Sequence, residues 1–265
     1  MLNPSQIQSA SDLLFSKWTA RACLDALPHA CRPHLRDEGY AIQALVETRS
    51  AHPLFGWKIA ATSTAGQAHI GVTGPLAGRI LRERVVAPYA TVSLDGNQMK
   101  VAELEFAFVM GEDLTPRAKP YSVDEVLAAV ASLHPAIEIP DSRYADFVRA
   151  GEAQLIADNA CAHEFMLGEA TKADWRAIDL RAHQVCGFRQ RDGETYQRDG
   201  IGANVLGDPR TALTWLANEL SAIGVTLKAG QAVTTGTCMV PMEVIAGDEV
   251  RGDYGPIGQI GIRFN

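Results

Sequence analysis

Cysteine is scarce in this 265-residue chain: Cys23, Cys31, Cys161, Cys186 and Cys238 are odd in number and lack CxxC spacing. That pattern supports neither a disulfide framework nor a zinc site, and reduced packing residues are expected. Positive charge is also short. Twenty-four Lys and Arg stand against 31 Asp and Glu, for a net charge of −7, and no basic block is present to neutralise phosphates. A nucleic-acid partner is therefore not expected, and a small anionic substrate has to be held locally. No stretch approaches the ~18 apolar residues of a membrane span. The start, Met1-Leu-Asn-Pro-Ser-Gln6, has no basic region followed by an apolar one, so the expectation is a cytoplasmic protein with no membrane partner. Repeats, low-complexity tracts and linkers are absent as well. The reading is one catalytic domain over residues 1–265, with a helical lead-in (1–50) and a β-rich core (51–265).

What the chain does have is apolar residues, 47% of the total, enough for a sizeable core. Ile7, Ala10, Leu14, Trp18, Ala22 and Ala26 recur at helical spacing, and a second helix is predicted from about Asp37 through Val46. The texture then changes to short strands: Phe55–Ala60, Ala90–Leu94 and Ala102–Met110, with a short helix at Thr62–His69 and a glycine- and proline-rich turn at Gly71–Gly78. Ser122-Val-Asp-Glu125 is a capping box opening a helix that carries Val126, Leu127, Val130 and Leu133. Further on, Leu180–Arg191 turns at Asp192-Gly193 into Glu194–Arg198. Asp208 caps a helix stopped by Gly224, and Ala232–Val240, Val244–Ile245 and Ile257–Phe264 read as strands. Segregated helices and many short strands imply an α+β fold.

The most informative segment is Val101-Ala-Glu-Leu-Glu-Phe-Ala-Phe-Val-Met110. On a strand, alternate residues share a face. Leu104, Phe106, Phe108 and Met110 then form an apolar face, and Glu103 and Glu105 lie together on the other with Ala107 and Val109. Two adjacent carboxylates repel, and burial makes each more costly, so a divalent cation would relieve both. Glu138, in Pro135-Ala-Ile-Glu-Ile-Pro140, is a third acid in a short apolar run. Three carboxylates with no imidazole nearby suit a hard ion such as Mg2+ or Mn2+. A solvent-facing strand decorated with acids is the competing account.

The segments Gly56-Trp-Lys-Ile59, Glu103-Leu-Glu-Phe106, Ala136-Ile-Glu-Ile-Pro-Asp-Ser-Arg-Tyr144, Ala157-Asp-Asn-Ala160, Gly202-Ala-Asn-Val-Leu-Gly207 with Ala212-Leu-Thr-Trp-Leu-Ala-Asn218, and Ala246-Gly-Asp248 resemble, in that order, the 2-keto-4-pentenoate hydratase and 4-oxalocrotonate decarboxylase family of the fumarylacetoacetate hydrolase superfamily. The resemblance spans about residues 40 to 265. It implies a mixed β-roll or barrel-like core, a homo-oligomer, and a Mg2+ or Mn2+ site at Glu103, Glu105 and Glu138. The implied substrate is a small 2-hydroxy-2,4-dienoic or 2-oxo acid, and the implied reaction is addition of water at C4 to give a 4-hydroxy-2-oxo acid. Decarboxylation of a 4-oxalocrotonate-type acid shares the same metal ligands and is the alternative. A C–C bond hydrolase would need a water-activating His–Glu pair, for which His29, His34 and His52 lack a supporting motif. A non-catalytic acid-binding protein would have little use for all three acids together with Lys58.

Lys58 matches the family's glycine–aromatic–lysine motif and is the candidate for proton transfer, a snorkelling lysine being the bland account. Arg143 and Ser142, with Asp141, follow the Glu138 strand closely enough to be candidates for substrate binding. An arginine after an acid is also a common surface ion-pair partner. Asp158 and Asn159 are candidates for orienting Lys58 or a water, or else close an Asx turn. Two positions depart from the family. Some of its hydratases carry an acid where this chain has Leu76, and small hydroxyl residues often stand where it has Cys161-Ala162-His163. His163 is thus a candidate replacement proton carrier, although a lone histidine is commonly structural. Trp57, Leu76, Phe106 and Met239 are candidate pocket walls.

Overall fold

The computed structural model describes residues 1–265. Six helices are present: α1 (Pro4–Ala20), α2 (Arg36–Ala44), α3 (Thr64–Ile70), α4 (Val123–Ala128), α5 (Glu152–Ala157) and α6 (Pro209–Ala222). Thirteen strands run as β1 (Gly56–Ala60), β2 (Leu76–Ile80), β3 (Val85–Val86), β4 (Thr91–Val92), β5 (Val101–Met110), β6 (Val130–Ile139), β7 (Glu164–Leu167), β8 (Gln184–Arg191), β9 (Glu194–Ile201), β10 (Ala232–Thr237), β11 (Met242–Glu243), β12 (Glu249–Asp253) and β13 (Gln259–Phe264). They form two mixed sheets, in the orders β2-β1-β10-β5-β6-β7-β3 and β4-β13-β12-β8-β9, with β11 added beside β5. This is the α+β arrangement of short strands and peripheral helices that the sequence predicts. No helix is long and apolar enough to cross a membrane.

The apolar face of β5 builds the core between the sheets. Leu104, Phe106 and Phe108 are fully buried in the main cluster with Val185, Val250, Ile260 and Ile262. Phe106 meets Tyr254 edge to face at 5.5 Å, a geometry that aligns ring edge with ring face. The opposite face of β5 carries Glu103, Glu105 and Ala107, the last packed with Ile80, Ala136 and Phe165.

Several local expectations change. Helix α1 opens on an Asn3–Gln6 capping box but ends at Ala20, with Arg21 in the left-handed region at φ 50°. Leu24 then exchanges backbone hydrogen bonds with Arg143 and Ala145, so Ala22 and Ala26 lie outside the helix. The Ser122 capping box is present, yet α4 ends at Ala128. Val130 pairs with Met110 instead, making Val130 and Leu133 strand residues. The predicted turn at Gly71–Gly78 gives way at Leu76 to strand β2, whose residues pair antiparallel with β1. Strand β12 was hidden by the flanking turn signals at Gly247-Asp248 and Asp253–Pro256. All five cysteines are free.

Candidate active site

Strand pairing brings the three acids together. Glu103 and Glu138 are register partners across the antiparallel β5–β6 ladder, and Glu105 is two residues along the same face of β5. One carboxylate oxygen from each lies within 4.8 Å of the others. Glu105 and Glu138 are 0% and 2% exposed, whereas Glu103 opens onto a cavity of about 720 Å³.

The anchoring of the buried pair is lopsided. Glu105 Oε2 accepts hydrogen bonds from Thr234 Oγ1 at 2.5 Å and the Gly236 backbone N–H at 2.7 Å. Its Oε1 has no partner. Glu138 Oε1 lies 3.1 Å from Lys58 Nζ, and Oε2 is again unpartnered. A buried carboxylate oxygen without a donor is expensive. Burial raises all three acids above the usual carboxylate range, and the charges of Glu138 and Glu103 push Glu105 further the same way. Two buried carboxylates, each with an orphaned oxygen, grouped with a third that faces the cavity fit the hard-oxygen donor set of a divalent cation.

Gly236 makes this anchoring possible. It sits in a bulge of β10 opposite Glu105, at φ 98°, and a Cβ there would lie 2.1 Å from Thr62 Oγ1. Glycine alone fits such a position comfortably.

Lys58 projects from β1, between β2 and β10. It is 3% exposed, and Nζ also donates to the Ala160 carbonyl at 2.9 Å. Burial alone would depress the ammonium, but the negative charges of Glu138 and Glu103 outweigh it and raise the group. Its stem passes over Gly78, where a Cβ would meet Lys58 Cγ and Cδ at 2.9 Å and the Asn159 carbonyl at 2.5 Å.

The Ala160 carbonyl is presented by an unusual turn. Asn159, Ala160 and Cys161 have φ of 56°, 50° and 60°, and left-handed backbone costs roughly 1–2 kcal/mol for each such residue. The surrounding contacts hold the turn in place. Asn159 Oδ1 accepts from Arg79 N at 2.6 Å while Nδ2 donates to Arg79 O at 2.8 Å, tying the turn to β2. Asp158 accepts from Ser142 Oγ at 2.7 Å and from the Arg143 backbone N–H at 3.0 Å, and pairs with the Arg143 guanidinium. Arg143 also donates to the carbonyls of Asp141, Asp158 and Ala162.

The cavity thus receives Lys58, Glu103, Leu76, Cys161 and Met239, but not Arg143, Ser142, Asp158 or His163. For Arg143, expected at the mouth, the reason is that its planar fork is filled by Asp158 and carbonyls. Asp158 touches Arg143 and Ser142, and its link to Lys58 runs through the turn. His163 Nδ1 accepts from Trp18 Nε1 at 2.8 Å. Burial, then the charges of Arg84 and Arg143, press its imidazole down to about 3. Trp57 and Phe106 face the core and not the cavity, and His29, His34 and His52 do not line it either. Cys161 is buried and its thiol is pushed up to about 12 by desolvation and the charge of Asp158. The sequence reading missed Thr234, Gly236 and Gly78. A glycine inside a strand pattern was the available signal for the last two.

Residues 44–265 match the family described as fumarylacetoacetate (FAA) hydrolase C-terminal. The chain belongs to this family. Its similarity to individual members runs nearly end to end. It is 29% identical over 266 residues to the 2-keto-4-pentenoate hydratase of Paraburkholderia xenovorans LB400, covering 99% of this chain and 96% of that one. It is likewise 29% identical over 235 residues to the 4-oxalocrotonate decarboxylase of Pseudomonas putida, covering 86% and 84%. The crystal structure of 4-oxalocrotonate decarboxylase from Pseudomonas putida G7, complexed with magnesium and adipate, superposes with a TM-score of 0.89 at 25% identity, covering 100% of this chain and 99% of that one. The fold shared with that structure therefore includes the helical N-terminal region as well.

Proposed function

We propose that the chain is a metal-dependent hydro-lyase that adds water to a 2-hydroxy-2,4-dienoate, giving a 4-hydroxy-2-oxo acid. The observation that carries the reading is the grouping of Glu105 and Glu138, each buried with one unpartnered oxygen, with Glu103, which stands beside Lys58 at the wall of one cavity. The similarity to a named 2-keto-4-pentenoate hydratase supports the reaction class. Glu103, Glu105 and Glu138 are the proposed ligands of Mg2+ or Mn2+. When bound, such an ion would supply positive charge against the three carboxylates and against charge developing on the substrate's 2-oxygen.

The protein's own groups have separable parts in this reading. Lys58, steadied by Glu138 and the Ala160 carbonyl, gives a proton to C5 of the dienol and takes back the one lost from the 2-hydroxyl, leaving an α,β-unsaturated ketone and a recharged ammonium. Water entering from the open rim then adds at C4, and C3 takes the remaining proton. Asp158, Arg143 and Ser142 act at one remove by holding the left-handed turn. Thr234 and Gly236, both donating to Glu105 Oε2, hold that carboxylate in place beside its neighbours. The same reading takes the whole chain as one catalytic unit, assembled as a homo-oligomer in the cytoplasm, a state that sedimentation of the purified protein tests.

The reaction is tested by incubating the Mg2+-loaded protein with 2-hydroxypenta-2,4-dienoate in water labelled with heavy oxygen. Label at C4 of a 4-hydroxy-2-oxo acid is expected, label at C2 being discounted because ketones exchange oxygen with water. Release of CO2 from 4-oxalocrotonate-type diacids, with no water added to the monoacid, would replace hydration by decarboxylation. Cleavage into two acids would point to a hydrolase.

A further inference from the structure

The cavity carries its charge at one end only. Lys58 and Glu103 mark that end, and the other walls are built largely from apolar side chains, among them Ile70, Leu76, Met99, Phe147 and Leu155, with the amides of Gln98 and Asn204 and the hydroxyls of Thr62, Ser63 and Thr237 as neutral polar groups. Apart from Lys58 the basic side chain on the lining is His69, an exposed ring packed edge-on against Phe147 at 6.2 Å. Arg198 comes near the wall at Val240 and Pro241, but its donors go to those two backbone carbonyls at 3.0 and 2.6 Å and to the Tyr196 hydroxyl. Arg143 is consumed by Asp158. A substrate carboxylate placed away from Lys58 would therefore meet largely hydrocarbon and neutral polar groups without a fixed cation, at a desolvation cost that those groups offset only in part. The space is also generous. At about 720 Å³ it is in the range that houses drug-sized ligands, and a five-carbon acid would leave much of it unfilled.

We infer that the site takes a 2-oxo or 2-hydroxy-dienoic acid with a single carboxylate and an apolar tail extending beyond C5, and discriminates against acids with a second, terminal carboxylate. The inference rests on the 2-oxo acid reading above and adds the chemistry of the tail. Leu76 contributes to it directly: an acid at that position would carry charge into the cavity, whereas leucine continues the apolar wall.

Three unreactive acids separate the possibilities by calorimetry on the Mg2+-loaded protein: 2-oxopentanoate, 2-oxooctanoate and the diacid 2-oxosuberate. Each methylene buried against the wall is expected to tighten binding roughly three- to fourfold, so 2-oxooctanoate should bind at least roughly tenfold more tightly than 2-oxopentanoate. The diacid, of equal chain length, should lose roughly tenfold or more relative to 2-oxooctanoate. Val240 lines the cavity and is 69% exposed, so Val240→Arg adds a cation there without disturbing the core. That variant should move the octanoate-to-suberate ratio towards the diacid. A diacid bound by the wild type as tightly as 2-oxooctanoate, an octanoate no tighter than the pentanoate, or a ratio unmoved by Val240→Arg would each overturn the apolar-tail assignment while leaving the 2-oxo acid site standing. Binding of none of the three would overturn that site itself, and this inference with it.

Discussion

Glu103 on β5 and Glu138 on β6 face one another directly across an antiparallel ladder, a pairing in which like charges destabilise the sheet. The chain adds Glu105 on the same face and buries it completely. Local propensity and packing do not reward this arrangement. In the proposed metal site a cation joining the three carboxylates would offset that cost, so metal affinity and fold stability should be linked.

Glu105→Gln and Glu138→Gln test that link separately. Each keeps side-chain volume and deletes one buried charge; metal-free Glu105→Gln should melt no lower than the wild type, whereas Glu138→Gln also strips buried Lys58 of its ion-pair partner and should melt lower. A wild-type protein in 100-fold excess of free metal over Kd gains about 2.7 kcal/mol of stability. Both variants should lose most of that gain when melting is followed with and without Mn2+. An undiminished Mn2+-dependent rise in Tm would remove the mutated acid from the metal site.

Lys58→Met keeps the apolar stem that crosses Gly78 and removes the ammonium that meets Glu138 and Ala160. Turnover should fall by roughly 100-fold or more, the range for a positioned proton carrier. The Mn2+-dependent rise in Tm should remain. Turnover within a few-fold of wild type would make Lys58 a structural partner of Glu138 and pass the proton to another group.

The acids and Lys58 were legible because strand alternation is a strict period of two: once Glu103 and Glu105 sit in an apolar run, their common face follows. Register across strands is not local, and neither is burial, so the opposition of Glu103 and Glu138 appeared only with the β5–β6 pairing. Arg143 and Asp158 show the limit most clearly. Each is a polar residue near a candidate site, and sequence alone cannot tell an arginine that offers its fork to a substrate from one whose donors are already taken by Asp158 and backbone carbonyls. Short elements failed for a related reason. Strand β2 starts directly after the Gly74-Pro75 bend and is dictated by its pairing with β1, which the local composition of Gly71–Gly78 does not reveal.

Asp158→Asn leaves the Arg143 guanidinium buried without its countercharge, which should cost about 3–5 kcal/mol. The double variant Asp158→Asn, Arg143→Met removes that unpaired charge and should recover part of the loss in urea unfolding. Both should still lower kcat, because the left-handed Asn159–Cys161 turn that presents the Ala160 carbonyl to Lys58 is no longer clamped. If the double variant recovers full turnover, the clamp does not position Lys58.

His163 should impose a pH dependence on stability rather than on chemistry. Its imidazole is lowered from 6.5 to about 3, first by burial and then by Arg84, Arg143 and Arg21, while Nδ1 accepts the Trp18 indole proton. The folded protein therefore holds it neutral, and the unfolded chain takes up a proton as pH falls below the ordinary value. The unfolded state binds the extra proton throughout that window, so stability is complete above about 6.5 and declines towards about 3, by at most about 1.4 kcal/mol for each pH unit. His163→Asn keeps an acceptor for Trp18 and cannot titrate. Measured by urea unfolding, the stability of wild type relative to this variant should drop by about 2 kcal/mol between about pH 7.5 and about pH 5. Glu164 and Asp158, both raised by burial, titrate in wild type and variant alike and cancel in the difference. A difference that stays flat across this interval would mean that His163 is not held neutral, and would return it to consideration as a proton carrier.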